Sequence, residues 1–208
     1  MHSNPWDAIY QKSDEQLPWF CNKLDYDLDC FLQNHFYTGA KLLEIGAGTG
    51  IQSAHLKNIG FDVTATDISS IAINKAIKKH SGEIKFILDD ILNTKLCANT
   101  FDFVLDRGVF HSIHRNGHKI FIKNINKLLK NHSYYVLKCL SKDEARPIGP
   151  LTFSKEDILN IFSPYFKVIT LVDSYFPTPK REKTPDLLLP KPLRAIFAVM
   201  EKRCDSVK

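Results

Sequence analysis

Leu42-Leu43-Glu44-Ile45-Gly46-Ala47-Gly48-Thr49-Gly50 is the stretch from which the rest of the chain can be read. A short apolar run that ends at glycine suits a strand covered on both faces of a parallel sheet. Glycines at alternate positions permit a tight turn and let backbone approach a ligand where a Cβ would block it. Residues 51–56 have helical character, so the turn leads into a helix N-terminus, as in a nucleotide-binding loop. Spacing excludes two such loops. A dinucleotide fingerprint needs glycine where Ile51 stands, and no Gly-Lys-Ser/Thr closes a phosphate loop.

Downstream, residues 61–66 are alternating and β-branched, a second strand ending in Asp67, with Ser69-Ser70 able to cap a helix over 71–77. An acid about 20 residues beyond a glycine loop is where a doubly wound fold meets a ribose, whose two hydroxyls a carboxylate can accept. A turn Asp that caps the next helix is the plain alternative. With a ribose there, Ile68 would lie against the adenine face. Residues 84–88 form a third strand, followed by Asp89-Asp90-Ile91, and residues 100–106 a fourth, running into Arg107-Gly108-Val109-Phe110-His111. A helix is expected over 120–130 with a basic last turn, then an Asn131-His132 turn and a fifth strand over 134–140. Residues 141–150 read as a polar loop, Ser154 and Asp157 as a capping-box-like helix start, and 166–172 as strand six. Residues 177–192 carry five of the ten prolines and read as a loop before an antiparallel final strand over 193–200. The expected fold is α/β: a doubly wound, mostly parallel seven-stranded sheet, Rossmann-like, in one domain over residues 1–208.

The E-x-G-x-G-x-G loop together with Asp106-Arg107-Gly108 followed by Phe110-His111 resembles the class I S-adenosylmethionine-dependent methyltransferases. Within them it resembles the thiopurine and tellurite-resistance-like small-molecule branch, in motif order over roughly residues 5–175. Two departures from the thiopurine pattern are the glycine-rich loop and Asp67 where Glu is usual. The resemblance implies S-adenosylmethionine as cofactor and S-adenosylhomocysteine as product. It assigns cofactor contacts to Trp19, Glu44, Gly46, Ala47, Gly48, Asp67, Ile68 and Asp106, and an adenine contact after strand three. Asp90-Ile91 match that contact best, with Asp89 equally open. It also implies a helical lid over residues 1–40 on a core over 41–208. Trp6, Tyr10, Leu17, Trp19 and Phe20 concentrate both tryptophans of the chain there, and Leu24, Leu28, Phe31, Leu32 and His35 recur at helical spacing. Packing against a sheet edge is the structural alternative to a lid.

A sulfonium methyl is attacked in line, so the protein chiefly aligns atoms about 3–3.5 Å apart, and a soft acceptor such as a thiol needs no dedicated base. Arg107 could stabilise an anionic acceptor or orient the loop through a carboxylate. His111 could accept a proton, its unperturbed pKa of about 6.5 suiting that task. An ion pair for Arg107 and packing beside Phe110 for His111 are the plain readings. Tyr10 and Ser141 join these two as expected substrate contacts. His111, His114 and His118 are spaced like metal ligands, but Asn116-Gly117 interrupts their helix and no acid or Cys completes the set, so no metal is expected.

With 208 residues and 44% hydrophobic content, the chain can bury one sizeable core. No apolar run approaches the roughly 20 residues that span a bilayer. The first residues lack a basic n-region and an apolar h-region, and five scattered cysteines include no C-x-x-C pair, so a cytoplasmic location is expected. The net charge is +5, but residues 1–35 hold six acids against two bases, so the remaining main body of dispersed lysines carries about +9. The Asp/Asn-Pro-Pro-Tyr/Phe motif of enzymes acting on bases is absent after strand four, and so are the paired glutamates that resemble protein-arginine enzymes. A small-molecule acceptor is therefore the expected partner, without nucleic acid or membrane; the oligomeric state leaves no signal. RNA or protein methylation through the basic C-terminal portion, and non-catalytic binding of the methyl donor by a regulatory protein, are the alternatives.

Overall fold

The computed structural model describes residues 4–33, 38–80, 82, 84–144, 149–177 and 191–204. Its central strand, β1 (Lys41–Ile45), pairs in parallel with β2 (Asp62–Asp67) on one side and β4 (Phe101–Arg107) on the other. With β3 (Lys85–Leu88), β5 (Leu129–Leu140), β6 (Phe166–Phe176) and β7 (Leu193–Lys202), the seven-stranded sheet has the order β3-β2-β1-β4-β5-β7-β6. The chain leaves β1 in one direction through β2 and returns on its other side through β4, which opens a crevice over the carboxyl ends of these strands. The final strand β7 is antiparallel and inserts between β5 and β6.

Strand alternation divides the core in two. Leu43, Ile45, Val104, Tyr135, Leu137 and Cys139 face α5 (His118–Leu128) and α6 (Lys155–Phe162). Leu42, Phe103, Leu105 and Val136 face α2 (Tyr26–Gln33) and α3 (Ile51–Ile59) on the other side. Arg107 and Lys138 share the second parity, which puts both cations on the α2 side. Asn4 and Pro5 open α1 (Pro5–Tyr10), the Asn4 side chain accepting from the Trp6 N–H. Ser69 caps α4 (Ser70–Lys79) by accepting from the Ala72 N–H, and Ser154 and Asp157 form a reciprocal capping box on α6.

Three sequence expectations are corrected. The helix expected to 130 ends at Leu128, and Lys130 already lies in β5, paired with Asp102 at 2.7 Å. The Asn131-His132 turn is absorbed into β5: His132 takes φ 60°, and the β4–β5 register shifts between Phe101 and Phe103. Strand six extends to Phe176, because its second half pairs fully with β7. His35 and residues 178–190 of the proline-rich loop lie outside the described residues.

Candidate active site

A cavity of about 500 Å³ opens over the carboxyl ends of β1, β2 and β4. Its acidic end is built on the glycine loop. Asp67, buried at the tip of β2, accepts from the Gly48 N–H at Oδ2 (2.9 Å) and from the Ser69 N–H at Oδ1 (2.8 Å). Burial raises its pKa, and these N–H groups oppose the rise. Gly46 and Gly48 adopt φ +65° and +56°; a Cβ would stand 2.2 Å from Val109 Cγ2 at the first and 2.7 Å from Tyr10 Oη at the second. The loop is thus pressed from one side by the turn after β4 and from the other by the N-terminal segment.

The two acids after β3 differ sharply. Asp90 spends both oxygens locally, accepting from the Leu92 N–H (2.9 Å) and from Asn93 Nδ2 (2.9 Å) as the cap of a 3₁₀ turn. Asp89 accepts one long bond from the Lys95 N–H (3.3 Å), and its buried Oδ2 has no partner among the described residues. Both acids line the cavity, so Asp89 is the one with an acceptor to offer.

Trp6, Tyr10, Pro18 and Trp19 form the outer wall. Trp19 meets Trp6 and Tyr10 edge-on, with ring centroids 5.8 and 6.0 Å away. The segment is tied to α4: Ser69 Oγ donates to Asp7 (2.6 Å), Asn4 donates to the Ile68 carbonyl (2.7 Å), and Lys79 pairs with Asp14 (2.8 Å). Burial drives the Tyr10 phenol pKa far up, so its hydroxyl keeps its proton.

At the other end of the cavity Val109, Ile113, Leu140, Phe176 and Leu193 surround Arg107 and His111. Arg107 Nε donates to Asp25 (2.9 Å), its Nη1 makes a long 3.5 Å contact with the Trp19 carbonyl, and its buried Nη2 has no partner among the described residues. The Leu140 N–H donates to His111 Nδ1 (3.1 Å), so the imidazole hydrogen belongs on Nε2. The lone pair a general base would use is therefore occupied, and the ring is a hydrogen-bond donor rather than the proton acceptor expected. Phe176 joins the two residues: the Arg107 guanidinium carbon lies 5.2 Å from its ring centroid, and the His111 ring meets its edge at 5.8 Å.

Behind Arg107 lies a buried group of charges. Arg107 and Lys138 are register partners on adjacent strands, two like charges side by side. Asp25 and Asp27, at the start of α2, compensate them: Lys138 Nζ reaches Asp25 at 2.8 and 2.9 Å and Asp27 at 2.7 Å, and Ser174 Oγ also donates to Asp27. Burial raises the Asp25 pKa, but the Lys138 and Arg107 charges outweigh it and hold the carboxyl below its ordinary value.

A family model described as a methyltransferase domain matches residues 43–137. An uncharacterized methyltransferase of Schizosaccharomyces pombe is 30% identical over 104 residues, 49% of this chain and 72% of the relative. The chain belongs to the class I S-adenosylmethionine-dependent methyltransferases. Within this enzyme family it resembles the tellurite-resistance-like branch. The probable S-adenosyl-L-methionine-dependent methyltransferase TehB of Haemophilus influenzae is 26% identical over 178 residues, 78% of this chain and 62% of the relative. The chain spans 52% to 72% of the length of the curated relatives it matches. A solved structure described as "Conversion of a Disulfide Bond into a Thioacetal Group during Echinomycin Biosynthesis" shares the fold, with TM-score 0.79 at 18% identity over 97% of this chain and 92% of that one.

In this methyltransferase, Tyr10, Trp19, Gly46, Asp67, Ile68, Asp89, Asp90, Ile91, Arg107 and His111 all line the cavity. The other expected site residues stand behind the wall. Asp106 is fully buried, accepting from the N–H groups of Gly108, Val109 and Phe110 and from Tyr135 Oη, so it shapes the turn that carries His111. The Gly48 N–H donates to Asp67 and the Ala47 N–H to the Thr66 carbonyl, Glu44 turns toward Ser53 on α3, and Ser141 is buried in a bridge with Phe153. Burial pushes the Glu44 pKa to about 7 and that of Asp106 to about 6. The three histidines diverge: His118 bonds the Ile113 carbonyl and packs on Phe110, while His114 accepts from the Asn116 N–H. No group of three or more His, Cys, Asp or Glu residues among those described could hold a metal ion, and no described helix is long and apolar enough to cross a membrane. Sequence reasoning missed Asp25, Lys138 and Phe176. Lys138, a lysine flanked by apolar residues within a strand, was the available signal.

Proposed function

We propose that this methyltransferase moves the methyl of S-adenosylmethionine to a small, largely apolar acceptor that arrives already anionic, a thiolate or similar soft nucleophile. The observation that carries this reading is the pair of buried atoms without partners among the described residues. Asp89 and Arg107 line the two ends of the cavity, and Asp89 Oδ2 lacks a donor and Arg107 Nη2 an acceptor among those residues. An adenine amino group suits the first, since an unpaired buried carboxylate oxygen is costly and an amino N–H removes the cost. Asp67 keeps lone pairs for ribose hydroxyls, and the aromatic N-terminal wall closes over the same space as a lid that excludes water.

The cofactor, when bound, supplies an electrophilic methyl on a sulfonium whose charge attracts an incoming anion. Around it the chain's residues orient rather than exchange protons. Arg107 Nη2 and His111 Nε2 donate toward the acceptor, while Leu140, Ile113 and Phe176 hold its apolar body. With the cofactor held by these residues, attack by the acceptor lone pair would break its sulfur–methyl bond and release S-adenosylhomocysteine, and an acceptor that arrives anionic would need no base. Calorimetry with S-adenosylhomocysteine, followed by turnover of aromatic thiols beside matched alcohols, tests the reading. We expect binding, with turnover confined to the thiols. Turnover of the alcohols alone would overturn the acceptor class, and absence of binding would overturn the whole proposal.

A further inference from the structure

The buried charges behind Arg107 join four parts of the chain: Asp25 and Asp27 from the N-terminal segment, Arg107 from β4, Lys138 from β5 and Ser174 from β6. The Asp25 and Lys138 side chains are 2% and 3% exposed. Two carboxylates balance two cations, so the group is neutral, and among the described residues Arg107 Nη2 is its one fully buried polar atom without a partner. Burying Asp25, Arg107 and Lys138 beside a cavity, with Asp27 partly buried, is not an economical way to stabilise a fold, because apolar residues of similar volume usually do as well or better. Its geometry does something packing cannot. Asp25 takes the Nε edge of the guanidinium, and Lys138 fixes Asp25 with two contacts from the same ammonium, while Arg107 lines the cavity and its Nη2 keeps no partner among the described residues. The backbone of Asp25 is itself anchored to the core, its N–H donating to Gln52 Oε1 on α3 at 2.8 Å.

We infer that Asp25 and Lys138 are positioning residues that hold Arg107 in its ligand-facing orientation, so that docking of the N-terminal segment and completion of the anion-accepting end of the cavity are one event. The inference rests on the role proposed above for Arg107. It also explains why the cation that faces the acceptor takes its counter-charge from the segment that forms the outer wall. A segment that had not docked would leave Arg107 and Lys138 side by side with no carboxylate between them, and their repulsion would turn the guanidinium away.

Charge and position can be separated because they predict opposite signs in one of two variants. The two tryptophans of the chain, Trp6 and Trp19, both line the cavity, so their fluorescence reads ligand entry directly. Benzoate and benzamide, titrated into protein saturated with S-adenosylhomocysteine, serve as a charged and an uncharged probe of one shape. Wild type is expected to prefer benzoate by about tenfold or more, the worth of a hydrogen bond to a charged group. Asp25→Asn makes the site one charge more positive, and Lys138→Met makes it one charge more negative. Positioning predicts that both variants bring the preference below about threefold while a cooperative thermal melt persists. A pure field effect predicts a stronger preference in Asp25→Asn, and that result would overturn the inference while leaving Arg107 as the anion contact. An unchanged preference in both variants would overturn it too. A wild type that does not distinguish the probes removes the anion contact itself and the inference with it.

Discussion

The two ends of the cavity are built to opposite plans. At the end over β2 and β3, carboxylates project from strand tips and are held by backbone N–H groups, with Asp89 Oδ2 left to accept. At the end over β4 and β5 no carboxylate of the described residues lines the wall; apolar side chains stand beside two donors, Arg107 and His111. One end therefore suits a ligand rich in hydroxyl and amino groups, and the other a ligand that brings its own negative charge. The difference comes from parity as much as from composition. Asp106 and Arg107 are neighbours on one strand, yet the first is consumed in capping the turn on the α5 side, while the second crosses to the α2 side and reaches the cavity.

The contrast can be broken most forcefully at Asp67. Asp67→Ala removes the proposed ribose acceptor and releases the Gly48 and Ser69 N–H groups, and should weaken S-adenosylhomocysteine binding about a hundredfold by calorimetry. A loss of only about twofold would mean that the acidic end does not hold the nucleoside.

Arg107→Lys sharpens the other end. A lysine can still pair with Asp25 but has no second N–H fork for the cavity, so acceptor KM should rise about tenfold with S-adenosylhomocysteine affinity held within about twofold. His111 gives a smaller effect with a clear sign. Glutamine can accept from the Leu140 N–H and donate into the cavity, so His111→Gln should keep turnover within about tenfold and leave its pH profile in place. A general base would instead cost about 10²–10⁴ and take the acidic limb of the profile with it.

The smallest effect is on stability. Burial holds the Glu44 pKa at about 7, against an ordinary value of 4.5. A raised acid favours the folded state's neutral form, so the stability that Glu44 contributes is fully present below pH 4.5 and is lost as pH rises through about 7. Glu44→Gln should lose that decline, worth on the order of 1–3 kcal/mol between pH 5 and pH 8 in urea unfolding. A parallel decline in the variant would assign the pH dependence to Asp106, whose pKa burial also raises, to about 6.

Much of this was legible in the sequence, because local patterns carried it. The glycine loop, the strand-ending acids and the Asp106-Arg107-Gly108 element each declare themselves within a few residues. What escaped was set by contacts between distant segments. Which of Asp89 and Asp90 kept an acceptor oxygen without a partner depended on which one capped the 3₁₀ turn. The role of His111 turned on a backbone N–H of Leu140, 29 residues away. Asp25 and Lys138 are separated by 113 positions, and neither carries a motif. The end of α5 was misjudged because lysine reads equally well as a helix terminus and as the start of a strand.

The claim that one cavity has a nucleoside end and an anion end is tested most directly by titrating S-adenosylhomocysteine into two variants, Asp89→Ala and Arg107→Lys. The structure predicts about tenfold weaker binding to the first and affinity within about twofold of wild type for the second. Retained affinity in Asp89→Ala together with lost affinity in Arg107→Lys would reverse the two ends and contradict the account.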